Sequence, residues 1–149
     1  MGNHHEAITW NAPDSDHPGR VAARRSLAAV ADGDVDAWLA VYAPDAVVED
    51  PVGPSMFDPE GKGHRGHDAL RAFWAMAIES VDTFHFTIHD SFANGSTCAN
   101  VATFTATFAD GTIVDTDLVT VYTIDGAGLI TSMRAHWEPE RAMATARKA

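Results

Sequence analysis

Tyr42-Ala43-Pro44-Asp45-Ala46-Val47-Val48-Glu49-Asp50-Pro51-Val52-Gly53 passes from a helix end, through a Pro-Asp turn signal and a short apolar strand, to an acidic pair. Asp50 leaves the strand where the chain turns away from a core. Pro51 biases it towards extended backbone, because the residue before proline is pushed out of the helical region. A carboxylate held at the mouth of an apolar cavity suits proton abstraction beside a carbonyl. The same residues also read as an ordinary Asp-Pro turn.

Working outward, Val21, Leu27, Ala28, Val30 and Ala31 make an apolar helical face that Gly33 stops. Asp34 is an N-cap residue for a second helix carrying Val35, Trp38, Leu39 and Tyr42, which Pro44 ends. Residues 53–67 hold four glycines and two prolines, and read as a long irregular loop of the kind used as a lid. Leu70, Phe73, Trp74, Ala77 and Ile78 predict a third helix over 68–79.

The remainder alternates. Phe84, Phe86 and Ile88 oppose His85, Thr87 and His89, and Ala102, Phe104, Ala106 and Phe108 oppose Val101, Thr103, Thr105 and Thr107. Asp110-Gly111 signals a hairpin, and further strands run from Val114 to Ile124 and from Leu129 to Trp137. Four strands joined by tight turns predict an antiparallel meander, and three helices before it predict an α+β domain with helices over one concave face.

The 149 residues suit one domain with one core. Residues 1–17 read as a flexible arm, 18–140 as the domain and 141–149 as a tail. A formal charge of -11 argues against nucleic acid, which needs clustered Lys and Arg, and against an anionic membrane surface. No apolar run is long enough to span a bilayer and no signal-peptide pattern opens the chain, so a cytoplasmic protein is expected. One cysteine, Cys98, excludes an intrachain disulfide and a cysteine metal cluster, and reads as a packing residue. His4-His5 reads as part of the exposed arm. His64 and His67, or His85 and His89, lack a third ligand at metal spacing, so no metal is expected.

The run 42–53 resembles the corresponding run of the bacterial Δ5-3-ketosteroid isomerases. Gly126-Ala127-Gly128-Leu129-Ile130-Thr131-Ser132-Met133-Arg134-Ala135-His136-Trp137 resembles their last strand. With helix order and meander, the resemblance covers about residues 20–139. It extends to the superfamily of cone-shaped α+β domains that includes nuclear transport factor 2, scytalone dehydratase and the SnoaL-type polyketide cyclases. A long loop after the Asp-Pro is similar to an actinobacterial branch of steroid-isomerase-like proteins.

The resemblance implies a cone of three N-terminal helices on a curved, mostly antiparallel sheet. It implies Asp50 as the general base, no cofactor, and a homodimer through the outer sheet face. The family's oxyanion donors, a tyrosine and a protonated aspartic acid, fall here on Ser26 and Thr120, which are weaker donors. Losing one strong oxyanion donor costs about 3 kcal/mol of transition-state stabilisation. Tyr42 and Trp74 fall at pocket aromatics and carry donors, Tyr42 being the candidate to replace the missing tyrosine. Both also fit as core aromatics at helical spacing.

Met133, Ala135 and Trp137 share one side of the last strand and are expected to face the cavity. His136 points the other way, and Asp117 is out of phase with Thr120 and reads as solvated. The expected wall is completed by Phe73, Phe104 and Leu118, around a steroid-like apolar ligand. Two further readings stay open: ligand binding without turnover, and cyclase or dehydratase chemistry on the same scaffold.

Overall fold

The computed structural model describes residues 5–149; His4 lies outside the described residues. The first helix, α1 (Pro18–Asp32), starts on a proline whose fixed φ suits the first helical position. His17 Nδ1 accepts from Gly19 N at 3.0 Å, and Gly33 closes the helix at φ 67°, the left-handed region that favours glycine. Asp34 caps α2 (Val35–Ala40), accepting from Ala37 N at 3.0 Å. The third helix, α3 (His67–Ala77), buries Leu70, Phe73 and Trp74.

Strands β1 (Ile8–Trp10), β2 (Tyr42–Glu49), β3 (His64–Arg65), β4 (Thr83–Asn94), β5 (Thr97–Thr107), β6 (Thr112–Ile124) and β7 (Ile130–His136) form one curved sheet in the order β1-β4-β5-β6-β7-β2-β3. The meander β4 to β7 is antiparallel throughout; β2 runs parallel to β7, and β1 parallel to β4. Three helices precede the meander. A fourth, α4 (Pro139–Met143), lies outside the expected set and leads to β8 (Arg147–Lys148), which pairs with β6. None of the described helices is long and apolar enough to cross a membrane.

Three expectations shift. Tyr42 opens β2 instead of ending a helix, because α2 stops one turn earlier at Ala40. Pro44-Asp45 therefore lies inside β2, where the register with β7 shifts between Tyr42 and Val47. A proline without an N–H fits such an interruption, since the ladder asks nothing of it there. The loop 53–67 is partly ordered: β3 pairs with β2, and Asp58 accepts from Gly61 N at 3.1 Å and Gly63 N at 2.7 Å.

Segments near both ends of the described residues are tied to the body. In the segment read as an arm, β1 pairs Ile8 to Phe86, and the Arg24 guanidinium lies 4.7 Å from the centre of the Trp10 ring. In the segment read as a tail, Arg147 pairs with Asp115 at 2.9 Å and Lys148 with Asp110 at 3.1 Å.

The core lies between the helices and the concave face of the sheet, with Trp38, Tyr42, Leu70, Phe86, Ile88 and Tyr122 nearly inaccessible. The start of α1 lies hard on β5: a Cβ on Gly19 would come within 2.8 Å of the Cys98 Cβ. Two turns further along, the same helix face brings Ser26 over the sheet.

Candidate active site

A cavity of about 220 Å³ opens between the helices and the concave face of the sheet. Its wall is apolar along most of its length, in keeping with the alternation of the meander, in which inward residues recur at every second position apart from phase shifts after Ile88 in β4 and between Ile130 and Met133 in β7. Asp50, Ser26, Thr116 and Tyr122 are the side chains of this wall that bring an oxygen to it.

Asp50 follows directly on β2 and precedes a cis peptide bond to Pro51. It is half-buried and faces the cavity. Trp137 Nε1 donates to its Oδ1 at 2.6 Å, across 87 positions of sequence. This contact is possible because β2 and β7 run side by side and parallel, so both strands end at the same rim. The backbone adds a second tie beside it, Val52 N donating to Ala135 O at 2.8 Å. Burial pushes the Asp50 carboxyl up to about 6 from its ordinary 3.8, and the Trp137 N–H pulls in the opposite direction. Its neighbour Glu49 turns outward and pairs with Arg134 at 2.7 Å, so that positive charge is spent on Glu49.

Ser26 reaches the cavity from α1, and its hydroxyl lies 3.1 Å from the Tyr42 hydroxyl. Tyr42 is itself buried behind Ser26 and is not part of the wall. Burial raises its phenol above the usual range, the Ser26 contact works against that, and the Asp50 charge adds to it. Tyr122 on β6 is a wall residue that sequence reasoning missed. Its phenol is also raised, first by burial and then by Tyr42 and Asp50. It stands two residues from Thr120, so strand period alone places both on the inner face.

Of the residues expected at the site, Ser26, Asp50, Phe73, Phe104, Leu118, Met133 and Trp137 border the cavity. Thr120 is buried beside them but outside the wall. Trp74 is likewise buried and packs on Trp38, with ring centres 5.4 Å apart, and it is Trp38 that meets the cavity. Met56 and Phe57 of the loop 53–67, and Ala142 and Met143 of α4, close the remaining sides. Asp117 turns outward to Thr103 Oγ1 at 2.6 Å. Three of the paired histidines are engaged elsewhere, His85 with Thr9, His89 with Thr103 and His67 with the Tyr42 carbonyl, while His64 packs on Phe73 with ring centres 5.0 Å apart and its buried Nε2 has no hydrogen-bond partner among the described residues.

Chemically, the site places one carboxylate, held by a single indole donor, beside an apolar chamber. Neutral hydroxyls from α1 and β6 lie in its electrostatic reach. Such a carboxylate can take and return a proton, and the hydroxyls can donate to an oxygen that gains charge.

Residues 23–133 match the SnoaL-like domain family. A steroid Delta-isomerase of Nocardioides simplex is 36% identical over 121 residues, covering 80% of this chain and 89% of that protein. Among solved structures, the Δ5-3-ketosteroid isomerase from Mycobacterium sp. superposes with a TM-score of 0.78 at 32% identity, covering 89% of this chain and 99% of that one. A Mycobacterium tuberculosis protein in complex with estradiol-17β-hemisuccinate gives a TM-score of 0.77 at 29% identity, covering 88% and 98%.

Proposed function

The chain belongs to the SnoaL-like domain family, of nuclear transport factor 2-like fold, and on that premise we propose that it is a cofactor-independent isomerase of a steroid or similar polycyclic ketone. Asp50 removes a proton from the carbon beside the ketone, the electron pair moves into a dienolate, and the same carboxyl returns the proton further along the conjugated system. The observation that carries this reading is the half-buried Asp50 carboxylate, facing an apolar cavity and held by Trp137 Nε1 at 2.6 Å. A carboxyl raised to about 6 is about nine-tenths ionised at pH 7, yet a stronger base than an ordinary aspartate.

Ser26, backed by the Tyr42 hydroxyl, and Tyr122 are the donors nearest in kind to what the enolate oxygen needs. Met56 and Phe57 make the loop 53–67 a cover for the chamber. The outer sheet face, with exposed Val101 and Val119 on neighbouring strands, is where a second copy would pack. A cytoplasmic site of action accords with the acidic, single-cysteine composition. The test is to supply a Δ5-3-ketosteroid and follow the absorbance of the conjugated enone. Wild type is expected to exceed Asp50→Asn by several decades, and equal rates would remove Asp50 from the chemistry.

One observation favours a second reading, binding without turnover. The wall hydroxyls belong to Ser26, already engaged with Tyr42, to Thr116, and to Tyr122, whose phenol burial raises above its usual range, so none is an acidic donor. Micromolar or tighter steroid binding, with enone formation at the solvent background, would establish it.

A further inference from the structure

Behind the apolar wall the core holds polar side chains that the cavity itself does not account for. Arg20 on α1, Ser91 on β4, Asn100 on β5 and Thr120 on β6 are all buried. Three of them, with Cys98, form a line of hydrogen bonds that has one sense. Arg20 Nε donates to Ser91 Oγ at 2.9 Å, and Arg20 Nη2 to the Ser91 carbonyl at 2.9 Å. Cys98 Sγ gives its single hydrogen to Asn100 Oδ1 at 3.3 Å. In the Ser91 Oγ···Cys98 Sγ contact, at 3.8 Å, Ser91 is therefore the donor. Each link hands its hydrogen on in the direction that leads from the guanidinium to the Asn100 carboxamide.

The line stops at Asn100. Its Nδ2 is buried and has no hydrogen-bond partner among the described residues. The strand register says what stands opposite. Thr120 is the direct partner of Asn100 across β5 and β6, Tyr122 is the direct partner of Cys98, and all four face inward. Side chains so paired stand about 5 Å apart at Cβ, within reach of a carboxamide. The Thr120 hydroxyl is a hydrogen-bond partner of the Tyr122 phenol, and Tyr122 is a wall residue. Hydrogen bonds in series polarise one another, and a cation at the donor end strengthens the last donor.

We propose that Asn100 is a positioning residue: its Nδ2 donates to the Thr120 hydroxyl, Thr120 donates to the Tyr122 oxygen, and the Tyr122 hydroxyl is thereby aimed at the ligand oxygen and strengthened by the Arg20 charge. This rests on the reading of the cavity as a site where a ketone oxygen gains charge. It adds how hydroxyls that are not acidic hold such an oxygen, through residues that the ligand does not touch.

The test compares 2-naphthol, whose hydroxyl mimics an enolate, with naphthalene, which has the same rings and no oxygen. Affinities are read by equilibrium dialysis. Wild type is expected to prefer 2-naphthol by roughly five- to tenfold. Cys98→Ala cuts the line and should bring the preference to about twofold or less, weakening 2-naphthol alone. Cys98→Ser keeps a donor to Asn100 and should retain the preference. Asn100→Leu should behave as Cys98→Ala, and if it does not fold the Cys98 pair decides. A preference that survives Cys98→Ala, or that Cys98→Ser loses equally, overturns the line. So does a Cys98→Ala protein that loses naphthalene to the same degree, since Cys98 is then a packing residue. Equal binding of the two ligands by wild type overturns the line and leaves the apolar cavity standing, and binding of neither overturns both. The isomerase reading falls separately, if a wild type with the expected preferences forms no enone from a Δ5-3-ketosteroid.

Discussion

Replacing Asp50 by Asn should make the protein more stable at neutral pH as it abolishes proton transfer. In the unfolded chain the carboxyl titrates near 3.8, and in the fold burial raises it to about 6. Between those values the folded protein holds a proton that the unfolded chain has lost. Stability contributed by this group is therefore present at low pH and falls as pH rises through about 6. The gap is worth about 3 kcal/mol at 1.36 kcal/mol per pH unit, nearly all of it lost by pH 7. Asn carries no charge to desolvate and its carbonyl still accepts from Trp137 Nε1. Its NH₂ needs a partner of its own, which sets the expected gain at about 1–3 kcal/mol. For a chain of this length that is a rise of roughly 2–10 °C in the unfolding midpoint. Thermal and urea unfolding of both proteins at pH 7 and pH 4 would show it. At pH 4 the difference should shrink to about 0.5 kcal/mol. A variant no more stable than wild type at pH 7, or a gain undiminished at pH 4, would refute the claim that Asp50 carries a charge into a desolvated place.

Trp137→Phe keeps an aromatic wall and deletes the one side-chain donor to Asp50 among the described residues. A hydrogen bond to a charged group is worth about 1.5–3 kcal/mol, so the carboxyl should move from about 6 to about 7–8. The acid limb of the rate–pH profile, or the carboxyl carbon resonance of Asp50, reads this directly, and an unmoved midpoint would show that the 2.6 Å contact is not felt by the charge. Tyr42→Phe removes the hydroxyl behind Ser26. It is expected to lower stability by about 1 kcal/mol and to weaken an enolate-mimicking phenol several-fold; unchanged phenol affinity would leave Tyr42 a purely structural residue.

Local chemistry made much of the fold legible. Gly33 and Asp34 mark one helix end and the next helix start by side-chain and backbone rules that need no tertiary context, and both act as those rules require. The alternation of Phe84, Phe86 and Ile88, and of Ala102 and Phe104, fixed which face of the meander turns inward. Tyr42 sits four residues after Trp38, a spacing that suits a helix and, here, also a helix followed by a strand, so its place at the start of β2 is not legible from spacing. Pairings between distant segments leave no local trace: β1 with β4, and β3 with β2, are settled by what the sheet edges accept. The start of α4 did carry a signal, Pro139 at its first position. The Asp50–Trp137 contact spans 87 positions, and only the parallel course of β2 and β7 brings it about. Tyr122 is within reach of strand period from Leu118 and Thr120, all three being inward positions of β6.

The two influences on Asp50 explain why one indole donor, and not two or none, suits a base at this rim. Burial alone would raise the carboxyl further and leave less of it ionised at neutral pH; several donors would return it towards the ordinary 3.8 and make it a weaker base. Burial opposed by a single N–H leaves it largely ionised and still basic. The neighbouring oxygens are consistent with that balance. Ser26, Tyr42, Thr120 and Tyr122 are neutral across the working range, so none adds a charge that would couple to Asp50. Had a second carboxyl stood at Thr120, the pair would share their protons and the acid limb would belong to both. With a hydroxyl there, the cavity holds one titrating carboxyl, and the acidity of the whole site follows from how deeply Asp50 is buried and how firmly Trp137 holds it.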